Sequence, residues 1–219
     1  MQSKKKSPYV IVLILSYNGK YLLDEAIDSY LSNDYANFDV YVIDNGSTDG
    51  TEQYVNTRYP NVEIIKLEKN LGYSGGFNVG LDFAFKNKNA DYVLVTNNDV
   101  KADRKIISSL VEGASLNEKI GFVIGKVYFY DNPNILQSTG KYNSEIYWSN
   151  GHIGGLEEDH GQYDVVVERE WCDDIYWLVS KKMFDQTGGY DTEFRFQAED
   201  YDWQVRAKNK NFKILYTYK

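Results

Sequence analysis

Near the start of the chain, residues 9–15 read YVIVLIL, an unbroken β-branched run between polar segments, and this predicts a strand buried on both faces. Asn18 and Gly19 end it. Apolar residues then fall at 22, 23, 26, 27, 30 and 31, the spacing of one helical face, and residues 39–43 return to a short strand. The rhythm repeats with a helix near 48–57, a strand at 62–67, a helix near 75–86, a strand at 92–96, a helix near 104–116 and a strand at 120–129. Such alternation implies right-handed crossovers and an α/β fold, with a mostly parallel central sheet flanked by helices. Between about 131 and 170 the pattern loosens into polar, Gly-containing sequence with short aromatic alternations such as 145–148, which predicts hairpins or a long excursion. An apolar stretch at 171–180, a helix from about 181, a second helix at 200–209 and a last strand at 212–218 complete the pattern. The expected organisation is one domain over 1–219, with a flexible tail at 1–8 and a truncated C-terminus directly after the last strand.

Composition narrows the function classes. With 42% hydrophobic and 26% charged residues and three prolines, the 219-residue chain reads as an ordinary compact globular protein. Its net charge of -8 repels polyanions and excludes a domain-wide nucleic-acid footprint, so a nucleotide-diphosphate ligand needs local help, most simply a divalent cation. The 20 tyrosines suit sugar and base stacking and ordinary cores equally. A single cysteine, Cys172, excludes an intrachain disulfide framework and fits a reducing, cytoplasmic setting. The run at 9–15 is too short to cross a bilayer, and the lysines at 4–6 lack a following cleavage pattern, so no transmembrane or secretory segment is expected. Those lysines can touch an anionic membrane surface in peripheral association, although a solvated tail explains them more simply. His152 and His160 have no zinc-site spacing and read as structural.

In an open α/β sheet, ligands sit outside the carboxyl ends of the strands. Polar clusters stand at three such ends: Ser16, Tyr17 and Asn18; residues 44–50, reading DNGSTDG; and Asn97, Asn98 and Asp99. Asp44 can accept from the N3 imide of a pyrimidine base while Tyr17 stacks on it; alternatively Asp44 and Ser47 make an Asx turn that caps the next helix. Residues 70–80, NLGYSGGFNVG, form a glycine-rich approach to a helix in which Asn70 and Gly76 can meet a phosphate or ribose, or in which Gly76 and Gly80 allow close helix-to-sheet packing. The spacing is not a dinucleotide fingerprint, which disfavours a nicotinamide dehydrogenase. Asp99 is a hard oxygen ligand suited to Mg²⁺ or Mn²⁺ on a diphosphate, or a plain turn residue. Asp200, with Glu199 beside it, opens a helix among Phe194, Phe196, Tyr201 and Trp203, where a carboxylate can be raised toward general-base duty. Asp173 and Asp174 are a second acidic pair that can face an acceptor hydroxyl.

The ordered set SYN at 16–18, DNGSTDGT at 44–51, NLGYSGGFNVG at 70–80, NND at 97–99 and EDYDW at 199–203 resembles family 2 glycosyltransferases, and the C-terminal block is similar to their rhamnosyltransferase-like branch. The resemblance implies a GT-A fold and an inverting transferase that moves a sugar, rhamnose first among candidates, from a UDP- or dTDP-linked donor to a glycan or lipid-linked acceptor in polysaccharide or cell-surface glycan synthesis. It implies Tyr17 and Asp44 on the donor base, Asn98 near the ribose, Asp99 on the metal and Asp200 as catalytic base; apart from the resemblance, Asp173 and Glu199 are expected on the acceptor side, and the expected setting is the cytoplasm, at the inner face of the membrane. The family's usual acidic pair at the metal is here Asn97, Asn98 and Asp99, so Asp99 stands alone. Two other functions compete: a sugar-nucleotide nucleotidyltransferase, disfavoured because Lys20 is the one basic residue after the first strand, and a non-catalytic nucleotide-sugar-binding module.

Overall fold

The computed structural model describes residues 7–143, 150–194 and 198–219. In chain order its elements are β1 (Val10–Ser16), α1 (Leu23–Leu31), β2 (Phe38–Asp44), α2 (Thr51–Arg58), β3 (Glu63–Lys66), α3 (Gly72–Asp82), β4 (Tyr92–Asn97), α4 (Ile106–Ala114), β5 (Ile120–Ile124), β6 (Val127–Phe129), β7 (Asn132–Ser138), β8 (Lys141–Asn143), β9 (Asn150–His152), β10 (Val167–Arg169), β11 (Tyr176–Ser180), α5 (Lys181–Thr187), α6 (Glu199–Asn209) and β12 (Lys213–Tyr216). Eight strands form one sheet in the order β10-β12-β5-β11-β4-β1-β2-β3. Pairings among β1, β2, β3 and β4, and between β5 and β12, are parallel; β11 runs antiparallel to both β4 and β5, and β10 antiparallel to β12.

The unbroken apolar run of β1 is explained by two cores, one on each face of the sheet. Ile11 and Leu13 pack with Phe77 and Leu81 of α3, Met183 and Phe184 of α5, and Trp203 of α6. Val10, Val12 and Ile14 pack with α1, Val55 of α2, and Ile107 and Leu110 of α4. Strands covered on both sides need no polar alternation. The close-packing reading of α3 holds: a Cβ on Gly80 would stand 2.4 Å from Ile43 Cδ1, and one on Gly76 would stand 2.7 Å from Leu15 Cδ1. Only glycine lets this helix lie so near the sheet. α3 then widens into one π-helical turn at Phe83–Asn87.

Two predicted elements change. The single strand at 120–129 is two, because the chain bends at Gly125, where a Cβ would stand 2.6 Å from the Tyr176 hydroxyl, and β6 leaves the main sheet to pair with β7. The helix expected from about 48 starts at Thr51, since Asp49, not Ser47, accepts from the Thr51 N–H at 3.0 Å. The excursion does contain hairpins, β6 with β7 and β8 with β9, while residues 145–148 and the tail at 1–6 lie outside the described residues. Lys126 anchors the excursion with a nearly buried ammonium 2.6 Å from both Asp159 Oδ2 and Asp164 Oδ1. No helix among the described residues is long and apolar enough to cross a membrane.

Candidate active site

Strand register sets the site. Ser16 pairs with Asp44, Leu15 with Asn97, and Asp44 with Lys66, so the polar ends of β1, β2 and β4 stand level at the carboxyl edge. Because β11 is antiparallel, with Tyr176 opposite Thr96, it starts at that same edge and brings Asp173 and Asp174 to it. The three strand-end clusters and the second acidic pair therefore stand at one edge of the sheet.

Hydrogen bonds lock its loops together. Asp44 is buried, and its Oδ1 accepts the Ser47 N–H at 2.9 Å, so the Asx turn forms, though without capping α2. Asn18, at φ 50°, donates its N–H to Ser47 Oγ at 3.0 Å and accepts the Thr48 N–H on Oδ1 at 2.8 Å. Between these two loops Tyr17 stands half exposed, a ring free to stack. Asn98 donates to the buried Ser16 Oγ at 3.2 Å, and Asp99 beyond it is exposed.

Asn45 went unnoticed in the sequence. Buried after β2, it donates to Asn70 Oδ1 and to the Gly72 carbonyl, each at 3.0 Å, and accepts the Leu71 N–H at 2.9 Å, which fixes the glycine-rich loop. Asn70 thus sits at the crevice edge with its Oδ1 already engaged, also by the Gly72 N–H at 2.8 Å. Gly76 lies buried against Leu15 and Asn45, facing the sheet, so its visible role is packing.

Opposite the strand ends stands the first turn of α6. Asp200 and Glu199 follow Ala198, whose φ of 73° is costly for a residue with a Cβ and marks a constrained turn. Trp203 of the expected aromatic surround turns into the core against Tyr190 at 4.7 Å, because its position faces the sheet. Tyr201 instead covers the Trp171 ring at 4.3 Å; Phe194 is exposed and Phe196 lies outside the described residues. Lys141 of β8 pairs with Asp173 Oδ1, and His152 Nε2 lies 3.6 Å from the same oxygen. Among the described residues, Trp171 Nε1, Asp173 Oδ2, Glu199 Oε2 and, in the core, Trp177 Nε1 are buried without a hydrogen-bond partner. Buried atoms of this kind cost about 1–3 kcal/mol each, and two of them belong to the carboxylates Asp173 and Glu199.

The electrostatics single out two acids. Burial raises Asp200 above the ordinary carboxylate range, against the opposing pull of Lys141. Burial, then the Asp200 charge, pushes Asp174 up to about 7, although hydroxyls of Tyr73 and Tyr190 favour its ionised form. Tyr190 donates to Asp174 Oδ2 at 3.2 Å, while the Tyr73 hydroxyl lies 3.2 Å from the Asp174 carbonyl and 3.3 Å from Asn97 Oδ1. Tyr73 thereby bridges the Asn97 turn and the acidic pair. No group of three His, Cys, Asp or Glu side chains able to hold a metal ion occurs among the described residues. The donor set nevertheless fits a cation shared with a diphosphate, since Mg²⁺ is commonly held by one or two protein carboxylates plus phosphate oxygens and water.

The Glycosyl transferase family 2 model matches residues 11–168. The chain is 28% identical over 196 residues, 81% of its length, to the N-acetylglucosaminyl-diphospho-decaprenol L-rhamnosyltransferase of Mycobacterium tuberculosis, and it spans 63% of that relative. It is 23% identical to a low-salt glycan biosynthesis hexosyltransferase of Haloferax volcanii, covering 93% of this chain and 62% of that one. Among solved structures, Staphylococcus aureus TarS 1-349 superposes at a TM-score of 0.66 with 18% identity, over 96% of this chain and 60% of that one. A mannosyltransferase from Pyrobaculum calidifontis, in complex with GDP-Man and Mn²⁺, gives 0.64 with 16% identity over 98% of this chain and 56% of that one. The architecture is the GT-A fold of these glycosyltransferases. Matched across most of its length by the family model, the chain belongs to glycosyl transferase family 2.

Proposed function

We propose that the chain carries the donor-binding and catalytic part of an inverting glycosyltransferase. It moves a sugar, rhamnose first among candidates, from a UDP- or dTDP-linked donor to a hydroxyl of a glycan or lipid-linked acceptor in cell-surface glycan or polysaccharide synthesis. The observation that carries this reading is the meeting, at one sheet edge, of the Ser16, Asp44 and Asn98 strand ends with the first turn of α6 and its half-buried Asp200. The rhamnosyltransferase name of the mycobacterial relative and the GDP-Man and Mn²⁺ bound by the archaeal neighbour support the substrate class.

In this reading Tyr17 stacks on the donor base, Asp44 accepts from it, and Asn98 and Asn70 flank the ribose and phosphates. Asp99 holds Mg²⁺ or Mn²⁺. When bound, the cation neutralises charge on the departing nucleoside diphosphate. Asp200 takes the proton of the acceptor hydroxyl as that oxygen bonds to C1 from the face opposite the diphosphate; the C1 bond to the diphosphate oxygen breaks and the configuration inverts. In the same reading Asp173 and Glu199 lie on the acceptor side. The same reading puts the reaction in the cytoplasm, at the inner face of the membrane.

A panel of UDP-, dTDP- and GDP-sugars with Mn²⁺ tests the reading, through thermal stabilisation followed by product analysis. Nucleoside diphosphate released only with an acceptor present is the expected result; pyrophosphate release overturns it. The single carboxylate at the metal position favours one second reading, a donor-binding module, for which stabilisation without turnover is the signature.

A further inference from the structure

We propose that Lys141 is a positioning residue for the base: its ammonium, pinned by Asp173 of the segment before β11, keeps the Asp200 carboxylate in the first turn of α6 charged among neighbouring acids. This rests on the reading of Asp200 as the base.

The backbone places Lys141 there. It exchanges both hydrogen bonds with Trp171, its N–H reaching the Trp171 carbonyl at 2.7 Å and its carbonyl accepting the Trp171 N–H at 3.3 Å. Trp171 in turn lies under Tyr201, the residue after Asp200, with ring centroids 4.3 Å apart. Strand β8, the segment before β11 and the first turn of α6 are thus one packed layer. The Lys141 side chain is 18% exposed and its partner Asp173 16%, so this pair is largely withdrawn from water and poorly screened.

The charged and titratable groups around Asp200 come from every element of that layer. Asp173, Asp174 and Cys172 approach from the segment before β11, Tyr73 from α3, and Tyr190 from the loop after α5. Glu199 and Asp202 share its helix, and His152 of β9 reaches Asp173. Four carboxylates, Asp173, Asp174, Glu199 and Asp200, therefore crowd together; Arg195 lies outside the described residues. Like charges confined in a poorly solvated site favour protonation, and a protonated base cannot accept the acceptor's proton. Burial and Asp173 both raise Asp200, while Lys141 lowers it. The ammonium survives its own burial because the Asp173 pair and the Asp200 charge outweigh the desolvation, leaving Lys141 raised.

The test reads Asp200 directly. In the full chain labelled with carboxyl-¹³C aspartate, the Asp200 resonance is assigned by its loss in Asp200→Asn and titrated in wild type, Lys141→Met and Lys141→Arg. Lys141→Met moves the Asp200 midpoint to higher pH, and Lys141→Arg returns it toward wild type. Lys141→Gln, which keeps a donor to Asp173, gives the same upward shift and replaces the methionine variant if that one does not fold. An unchanged midpoint in a folded charge-removal variant overturns the proposal. In sugar transfer, the acid limb of kcat/KM shifts upward in the same variants while donor binding holds. A wild type that transfers no sugar removes the base reading and leaves the titration result standing by itself.

Discussion

The side-chain amide of Gln204 closes on both backbone groups of Cys172, accepting the Cys172 N–H on Oε1 at 2.8 Å and donating from Nε2 to the Cys172 carbonyl at 3.1 Å. The same Nε2 lies 3.0 Å from the Asp200 carbonyl. One buried amide therefore spaces α6 against the segment that carries Asp173 and Asp174, much as a ladder rung spaces two strands. The gap between the proposed base and the acidic pair is a consequence of that rung. Arg206 reinforces it from the next turn, bonding the Thr187 and Gly189 carbonyls at 2.6 and 2.7 Å.

Replacing Gln204 by leucine keeps the volume and strands a buried N–H and carbonyl of Cys172. Urea unfolding of Gln204→Leu should show a loss of about 1–3 kcal/mol, the cost of orphaned backbone groups. Stability equal to wild type would mean that the rung does not hold the two segments.

Asp200→Asn keeps the shape of the first turn and removes the proton acceptor. Transfer should fall about 10²- to 10⁴-fold, the usual worth of a general base, while donor affinity measured by calorimetry stays within error of wild type. Transfer at the wild-type rate would remove Asp200 from that role.

Asp99 is exposed at the end of β4 and makes no contact that the fold depends on, so Asp99→Ala should fold normally. Donor binding in this variant should no longer respond to Mn²⁺. Calorimetric titrations with and without Mn²⁺ decide it: a cation dependence equal to wild type would place the metal elsewhere.

Asp174 gives a stability signature that needs no substrate. Its carboxyl is raised to about 7 in the fold, so the folded state holds a proton that the unfolded chain releases nearer pH 4. The stability associated with that proton is complete below pH 4 and is lost as pH climbs to 7. Asp174→Asn removes the titration, so relative to wild type it should gain stability across that interval, on the order of 2 kcal/mol at pH 8 once partial solvent access is discounted. Chemical denaturation at pH 5 and pH 8 measures it; a difference that does not grow with pH argues against a raised Asp174.

What was legible in the sequence is what depends on neighbours along the chain. The run at 9–15 announces a doubly covered strand because both faces demand apolar groups, and the small residues Gly76 and Gly80 announce a helix pressed to the sheet. The break at Gly125 was hidden, because the apolar pattern continues through it and the obstruction is the Tyr176 hydroxyl from a distant strand. Asp173 and Asp174 are adjacent in sequence, and nothing local says that the first meets Lys141 while the second meets Tyr190. Gln204, Asn45 and Lys141 have no local signature for the same reason: each acts on residues 25 to 32 positions away, in polar contacts that no periodicity encodes.

Strand β11 runs against its neighbours, so it delivers its beginning to the edge where β1, β2 and β4 deliver their ends. The residues proposed for the donor thus hang on one stretch of chain and those proposed for the acceptor on another, the two stretches joined by the pairing of β11 with β4. In the proposed reading, nucleotide and acceptor are therefore held by chain segments that run in opposite directions to one shared edge.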